Sequence, residues 1–255
     1  MSQKPRGRSV QTTKSGQSSV RTFYLGIAAV ALIVISIVAY NTLGGNTEVA
    51  GSKVLGVVPA ERGAELPVGL GDDGRYFVGN ATAPITVIEY ADFQCPGCGY
   101  YATNVASRFE TEYVATGKVK KVFHDFPLQS HPNAIGAAVA ARCAGTLQGA
   151  AGFWKMHDMI YTNQRQWSSL NASNFTKQMI TYADQLKLDT TAFNSCLNDD
   201  TVEQVVLDHQ KQSNALGLPG TPSFAVNGTV VDASSAQSIE DIDNLVRQAV
   251  DAVQP

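Results

Sequence analysis

The sequence predicts an α/β domain interrupted by a block of helices and carried behind one N-terminal transmembrane helix. Three observations lead there. Residues 23–40, FYLGIAAVALIVISIVAY, are apolar and uncharged. Residues 85–126 pass from a β-rich run through a helical pattern and back to a strand. Residues 132–216 then read as helix throughout, before the chain returns to β and closes on an amphipathic helix. At 255 residues, 44% apolar and 16% charged, the chain can bury one core with an appended subdomain, and its composition is not that of a disordered protein.

The apolar run is long enough to cross roughly 27 Å of hydrocarbon as a helix, so residues 23–41 are read as a transmembrane anchor. Residues 1–22 hold Lys4, Arg6, Arg8, Lys14 and Arg21 and no acid. By the positive-inside rule that segment is a cytoplasmic tail and the rest is extracytoplasmic. A cleaved signal peptide is the competing reading. The run exceeds the usual apolar core of about 7 to 15 residues and no A-x-A-like site follows it, which favours an uncleaved signal-anchor. After the tail, 14 basic and 22 acidic residues remain, a balance that argues against nucleic-acid binding.

Residues 42–74 are rich in glycine and lack sustained periodicity, and read as a linker, with a short strand suggested over Val54–Pro59. The folded domain is placed at 75–255. Arg75–Val78 and Ile85–Ala91 read as strands around the turn-forming GNATAP. The helical pattern after Cys98 runs to about Thr116 and stops at Gly117, and KVKKVFHDF (118–126) is the next strand. That crossover length suits parallel pairing. Five segments with apolar residues at three and four spacing fill the helical insertion, about 131–216. PSFAVNGTVVDA gives a strand, an Asn227-Gly228 turn and a second strand, and Ile239–Val253 the last helix. Asn-x-Ser/Thr triplets at Asn80, Asn171, Asn174 and Asn227 read as turn and cap chemistry.

Chemistry concentrates at Cys95-Pro96-Gly97-Cys98, where the β run meets the helix. A helix N-terminus stabilises negative charge, and the thiolate is the reactive form of cysteine, so Cys95 sits where its pKa falls most. Cys98, one turn on, can attack a mixed disulfide formed at Cys95. Half a zinc site or an inert buried pair are the bland alternatives for the same four residues. No second C-x-x-C accompanies it, and Pro96 suits a helix start, so no metal is expected. Four cysteines allow three pairings. A local Cys95–Cys98 pair leaves Cys143 with Cys196, read as a structural disulfide whose loop closure contributes about 4 kcal/mol in the chain-entropy model. Two free buried thiols are the alternative.

Taken in order, the strand-end CPGC, FHDFPL, HPNAIGAAVAARCAG, FWKMHDMIY and GTPSFAVNG resemble the DsbA-like branch of the thioredoxin superfamily over roughly residues 75–253. The resemblance implies a thioredoxin fold with an inserted helical subdomain, with Cys95 attacking and Cys98 resolving. It implies a cis Pro222 that leaves the backbone of Thr221 free to pair with a substrate strand. Glu89 matches a buried acid beneath the active site; without a cation its pKa would rise and it could exchange a proton with Cys98. The activity implied is thiol-disulfide exchange that donates the Cys95–Cys98 disulfide to reduced exported proteins without a bound cofactor. A DsbB- or VKOR-like membrane protein would recycle it. A reductase or isomerase uses the same residues, and a binding or chaperone module needs neither thiol. Pro96-Gly97 lacks the histidine found between the cysteines of the family's best-known strong oxidase, which leaves the redox poise open over a span of about 150 mV.

Other candidates divide more evenly. His124, His131, His157 and His209 are scattered and read as structural or solvated. Phe153, Trp154, Met156, Met159 and Ile160 lie on helical spacing and read as core. Phe93, Tyr100 and Tyr101 flank the cysteines and could either line an apolar peptide-binding surface or pack the helix.

Overall fold

The computed structural model describes residues 52–58 and 66–253, with side chains for the second range. The basic tail and the predicted anchor at 23–41 lie outside the described residues. Among those described, no helix is long and apolar enough to cross a membrane.

Seven described strands form one sheet in the order β1-β2-β3-β5-β4-β6-β7. These are β1 (Ser52–Val58), β2 (Leu66–Gly71), β3 (Tyr76–Val78), β4 (Ile85–Ala91), β5 (Val119–Asp125), β6 (Ser223–Val226) and β7 (Thr229–Val230). β4 pairs in parallel with β5 and antiparallel with β6. Between β4 and β5 runs helix α1, residues 96–114, in which α-helical turns alternate with π-helical ones at Tyr101–Val105 and Glu110–Val114. The expected β-α-β unit is therefore present. β4 and β5 bury nearly every side chain, as a sheet covered on both faces requires.

The reading of 42–74 as a linker is corrected at β2, while the short strand suggested over Val54–Pro59 is present as β1. β1 and β2 add an antiparallel ribbon to the sheet, registered from Ser52↔Gly71 to Val58↔Leu66. Leu66 and Val68 are buried at period two, but Pro67 and Gly69 between them are weak strand formers and masked the alternation.

The insertion comprises α2 (Ala134–Thr162), α3 (Gln164–Trp167), α4 (Ala172–Gln185), α5 (Thr190–Leu197) and α6 (Asp200–Ala215). The first two of the five helical segments are joined in α2 across a kink at Gln148 and Gly149, the latter at φ 68°. Phe153, Trp154, Met156 and Ile160 are buried core and Met159 packs against it. Three of the four triplet asparagines do turn and cap work: Asn80 Oδ1 accepts from Thr82 N, Asn171 Oδ1 caps α4 from Asn174 N, and Asn227 takes φ 47° in the hairpin. Helix α7 (Ile239–Ala252) starts on a capping box between Ser238 and Asp241.

Cys143 of α2 is bonded to Cys196 of α5, with Cα atoms 5.7 Å apart. The bridge closes a loop of 53 residues, so a Cys143→Ser/Cys196→Ser variant should lose about 2–4 kcal/mol of stability on denaturant unfolding. A midpoint unchanged by the double substitution, or by dithiothreitol, would contradict a structural role.

Candidate active site

Cys95 is the N-cap residue of α1, with extended backbone (φ −67°, ψ 123°) and Pro96 at the first helical position. Its N–H donates to Asp92 O at 3.1 Å, and its carbonyl accepts the first helical bond from Gly99 N at 3.0 Å. Cys95 and Cys98 are both free thiols. They are not equivalent. Cys95 is 8% exposed and Cys98 not at all.

Strand pairing brings the second half of the site to the first. The register Tyr90↔Ser223 lays the start of β6 beside the end of β4, so the Thr221-Pro222 turn lands on the cysteines. The Thr221–Pro222 bond is cis, and Cys95 Sγ lies 3.3 Å from Thr221 O. Gly97 faces the same turn, since a Cβ built on it would sit 3.4 Å from Pro222 Cδ and 3.2 Å from Ile239 Cδ1.

The electrostatics separate the two thiols. A hydrogen bond from Cys98 lowers the Cys95 pKa most; against opposition from burial, Thr221 and the N–H groups of Cys98 and Gly97 help hold it at about 5. Burial pushes the Cys98 thiol well up, and the bond to Cys95 adds to this. An ionised Cys95 beside a protonated Cys98 is the arrangement of a nucleophile with a resolving partner.

Glu89 lies beneath the helix and is 1% exposed, as the resemblance implied. The premise that it lacks a cation is corrected. Lys121 Nζ is 2.9 Å from Glu89 Oε2 and 3.2 Å from Glu110 Oε1, with the Tyr101 ring 5.0 Å away. Lys121 stands two residues before Phe123, the partner of Glu89 in the β4–β5 register, and so shares its face of the sheet, a neighbour that one strand's sequence does not disclose. Phe93 and Tyr101 are core residues, and of the three flanking aromatics only Tyr100, 45% exposed, faces solvent.

The loop before the cysteines is tied down by residues that sequence reading missed. Buried Asp92 accepts from Gln94 N, Leu128 N and, at 2.7 Å, from His131 Nδ1. Gln94 accepts from Asn133 N and donates to Ser168 O, both at 2.7 Å. Gln164 Nε2 donates to Phe93 O and Cys95 O. Only the adjacency of Asp92 and Gln94 to Cys95 offered a clue. Beside the helix start a cleft of about 1080 Å³ opens between α1, at Gly97, Tyr100 and Thr103, and the α2–α3 junction, at Asn163 and Arg165. Among the described residues no group of three or more His, Cys, Asp or Glu is placed to hold a metal ion.

Fold and dithiol together define a thioredoxin-like domain with one slightly exposed and one fully shielded cysteine. The chain belongs to the thioredoxin family, which residues 72–248 match. It is 30% identical over 170 residues to a putative protein-disulfide oxidoreductase of Rickettsia bellii, covering 66% of this chain and 62% of that protein. It is 29% identical over 155 residues to a probable disulfide bond formation protein D of Bacillus cereus, covering 61% and 71% respectively. The chain thus spans about three fifths of the Rickettsia protein's length. In three dimensions it is similar to α-DsbA1 of Wolbachia pipientis, at TM-score 0.58, 23% identity and coverage of 72% of this chain and 92% of that one. BdbD of Bacillus subtilis gives TM-score 0.58 at 19% identity, with coverage of 78% and 96%. These likenesses give the fold as DsbA-like.

Proposed function

We propose that this protein is a thiol-disulfide oxidoreductase that works as a disulfide donor to reduced exported proteins. The observation that carries the proposal is the split between a Cys95 thiol lowered to about 5 and a buried Cys98 pushed up. In the oxidised form a substrate thiolate attacks Cys95 Sγ, the more accessible sulfur, and the Cys95–Cys98 bond breaks with Cys98 leaving and taking a proton. A second substrate thiolate then attacks the substrate sulfur of the mixed disulfide and expels Cys95 as a stable thiolate. Two electrons have passed to the protein and one disulfide to the substrate. A low leaving-group pKa speeds that second step and favours the reduced form of the protein, which is the property of a net oxidant. Thr221, preceding the cis proline and touching Cys95 Sγ, is the group best placed to pair with substrate backbone.

The direction is tested by equilibrating the domain with glutathione and following oxidation of a reduced, unfolded protein. A potential well above that of thioredoxin, with a Cys95 titration midpoint near 5, is expected. A midpoint near 8 with a thioredoxin-like potential would replace the donor by a reductase. The uncharged run from Phe23 to Tyr40 behind five cations supports a single-pass anchor with the dithiol outside the cytoplasm and a DsbB- or VKOR-like membrane protein as reoxidant. Protease added to intact spheroplasts should remove the domain bearing Cys95 while leaving residues 1–22 protected. Cleavage of the tail with the domain spared would reverse the topology.

A further inference from the structure

One side chain of the helical insertion hydrogen-bonds the backbone of Cys95. Gln164 opens α3 at the break after Asn163, and the other end of that short helix is fixed by buried Trp167, whose Nε1 donates to Ile160 O at 2.8 Å. From there Gln164 Nε2 donates to Phe93 O at 2.8 Å and to Cys95 O at 2.9 Å. An amide nitrogen has two hydrogens, so both are committed to the active-site loop. The approach is close enough to dictate a neighbour: a Cβ on Gly99 would lie 2.6 Å from Gln164 Oε1 and 2.9 Å from its Cδ.

We propose that Gln164 is a positioning residue for thiol-disulfide exchange, clamping the carbonyls of Phe93 and Cys95 and so aiming Cys95 Sγ at the helix start. The carbonyl of Cys95 belongs to the peptide plane leading into Pro96. Rotation of that plane swings the cysteine relative to the N–H groups of Gly97 and Cys98, which stabilise its thiolate only when they point at sulfur. The helical bond from Gly99 N alone restrains one side of this carbonyl; Gln164 restrains it from the other and ties it to Phe93, two residues back. The insertion is then part of the reactive centre, since it holds the geometry on which the Cys95 thiolate depends. This rests on Cys95 being the attacking cysteine.

The test is the pH dependence of Cys95 alkylation in the full chain, mapped by mass, for Gln164→Met, which keeps length and loses both donors. The midpoint should rise by roughly half to one unit, about three- to tenfold less thiolate at a pH below it, the effect of one hydrogen bond. Gly99→Ala, which pushes the amide aside without removing it, should shift the midpoint in the same direction, and it serves if Gln164→Met fails to fold. Arg142→Leu, whose lost bonds go to Asp125, Gly74 and His209, controls for general destabilisation and should leave the midpoint in place. A wild-type midpoint in both Gln164→Met and Gly99→Ala, or an equal shift in Arg142→Leu, would overturn the proposal. Alkylation needs neither client nor redox partner, so its failure is separate from failure of the disulfide-donor reading.

Discussion

Cys98→Ala should accumulate client proteins joined covalently to Cys95, whereas Cys95→Ala should accumulate almost none. In the first variant the nucleophile keeps its position at the helix start, its contact with Thr221 and two backbone N–H donors, while the thiol that would resolve a mixed disulfide is gone. Losing the bond from Cys98 will raise the Cys95 pKa from about 5, since that bond is the largest lowering cause, but the remaining donors and the helix start still favour the thiolate. In the second variant the remaining thiol is wholly buried and burial pushes its pKa up, so at neutral pH its ionised fraction is smaller and its access worse. Non-reducing electrophoresis of each variant recovered from cells reads the difference directly. Equal trapping by the two would reverse or abolish the assignment of roles, and release of the trapped bands by reductant would establish that the link is a disulfide.

How far the site was legible follows from what each residue depends on. Pro222 was reached through the resemblance carried by GTPSFAVNG, whereas Cys95 and Cys98 were visible because their chemistry is local, a thiol pair at a helix start being read within a few residues. The order of strands and helices was visible for the same reason, since burial on one face leaves a period in the sequence. The Cys143–Cys196 bond was reachable because four cysteines leave few pairings. Lys121 was not, because its meaning comes from lying one strand over from Glu89 and within 3.2 Å of Glu110. Gln164 was not, because nothing along α3 distinguishes an amide that reaches Cys95 from one in solvent. β2 was missed for a different reason: Pro67 and Gly69 lowered its propensity, and pairing with β1 and β3 supplied what propensity lacked.

The same dependence on partners makes Arg142→Leu the substitution expected to cost the most stability. Arg142 Nε donates to Asp125 Oδ2 at 2.8 Å, its Nη2 binds the same oxygen, and Nη1 donates to Gly74 O at 2.9 Å. His209 Nδ1 stands 3.0 Å from that carboxylate, and its ring stacks on buried His124 at 4.5 Å. Burial opposes ionisation of Asp125, but Arg142 and His209 outweigh it and hold its pKa below the usual carboxylate range. Removing the guanidinium strands a buried carboxylate, which should cost about 3–5 kcal/mol, and an Asp125→Asn/Arg142→Leu pair should recover more than half of that. The pH response has a definite sign. Asp125, lowered in the folded state, contributes stability above about pH 4 that is lost as pH falls toward its folded value. His124 is lowered by burial to about 3, so the unfolded chain binds its proton first. Stability should therefore fall as pH drops from about 6.5 toward 3, with a limiting slope near 1.4 kcal/mol per unit from this one group. Urea unfolding between pH 7.5 and 4.5 measures it, and His124→Gln should flatten the curve; a slope unchanged by that substitution would place the acid sensitivity elsewhere.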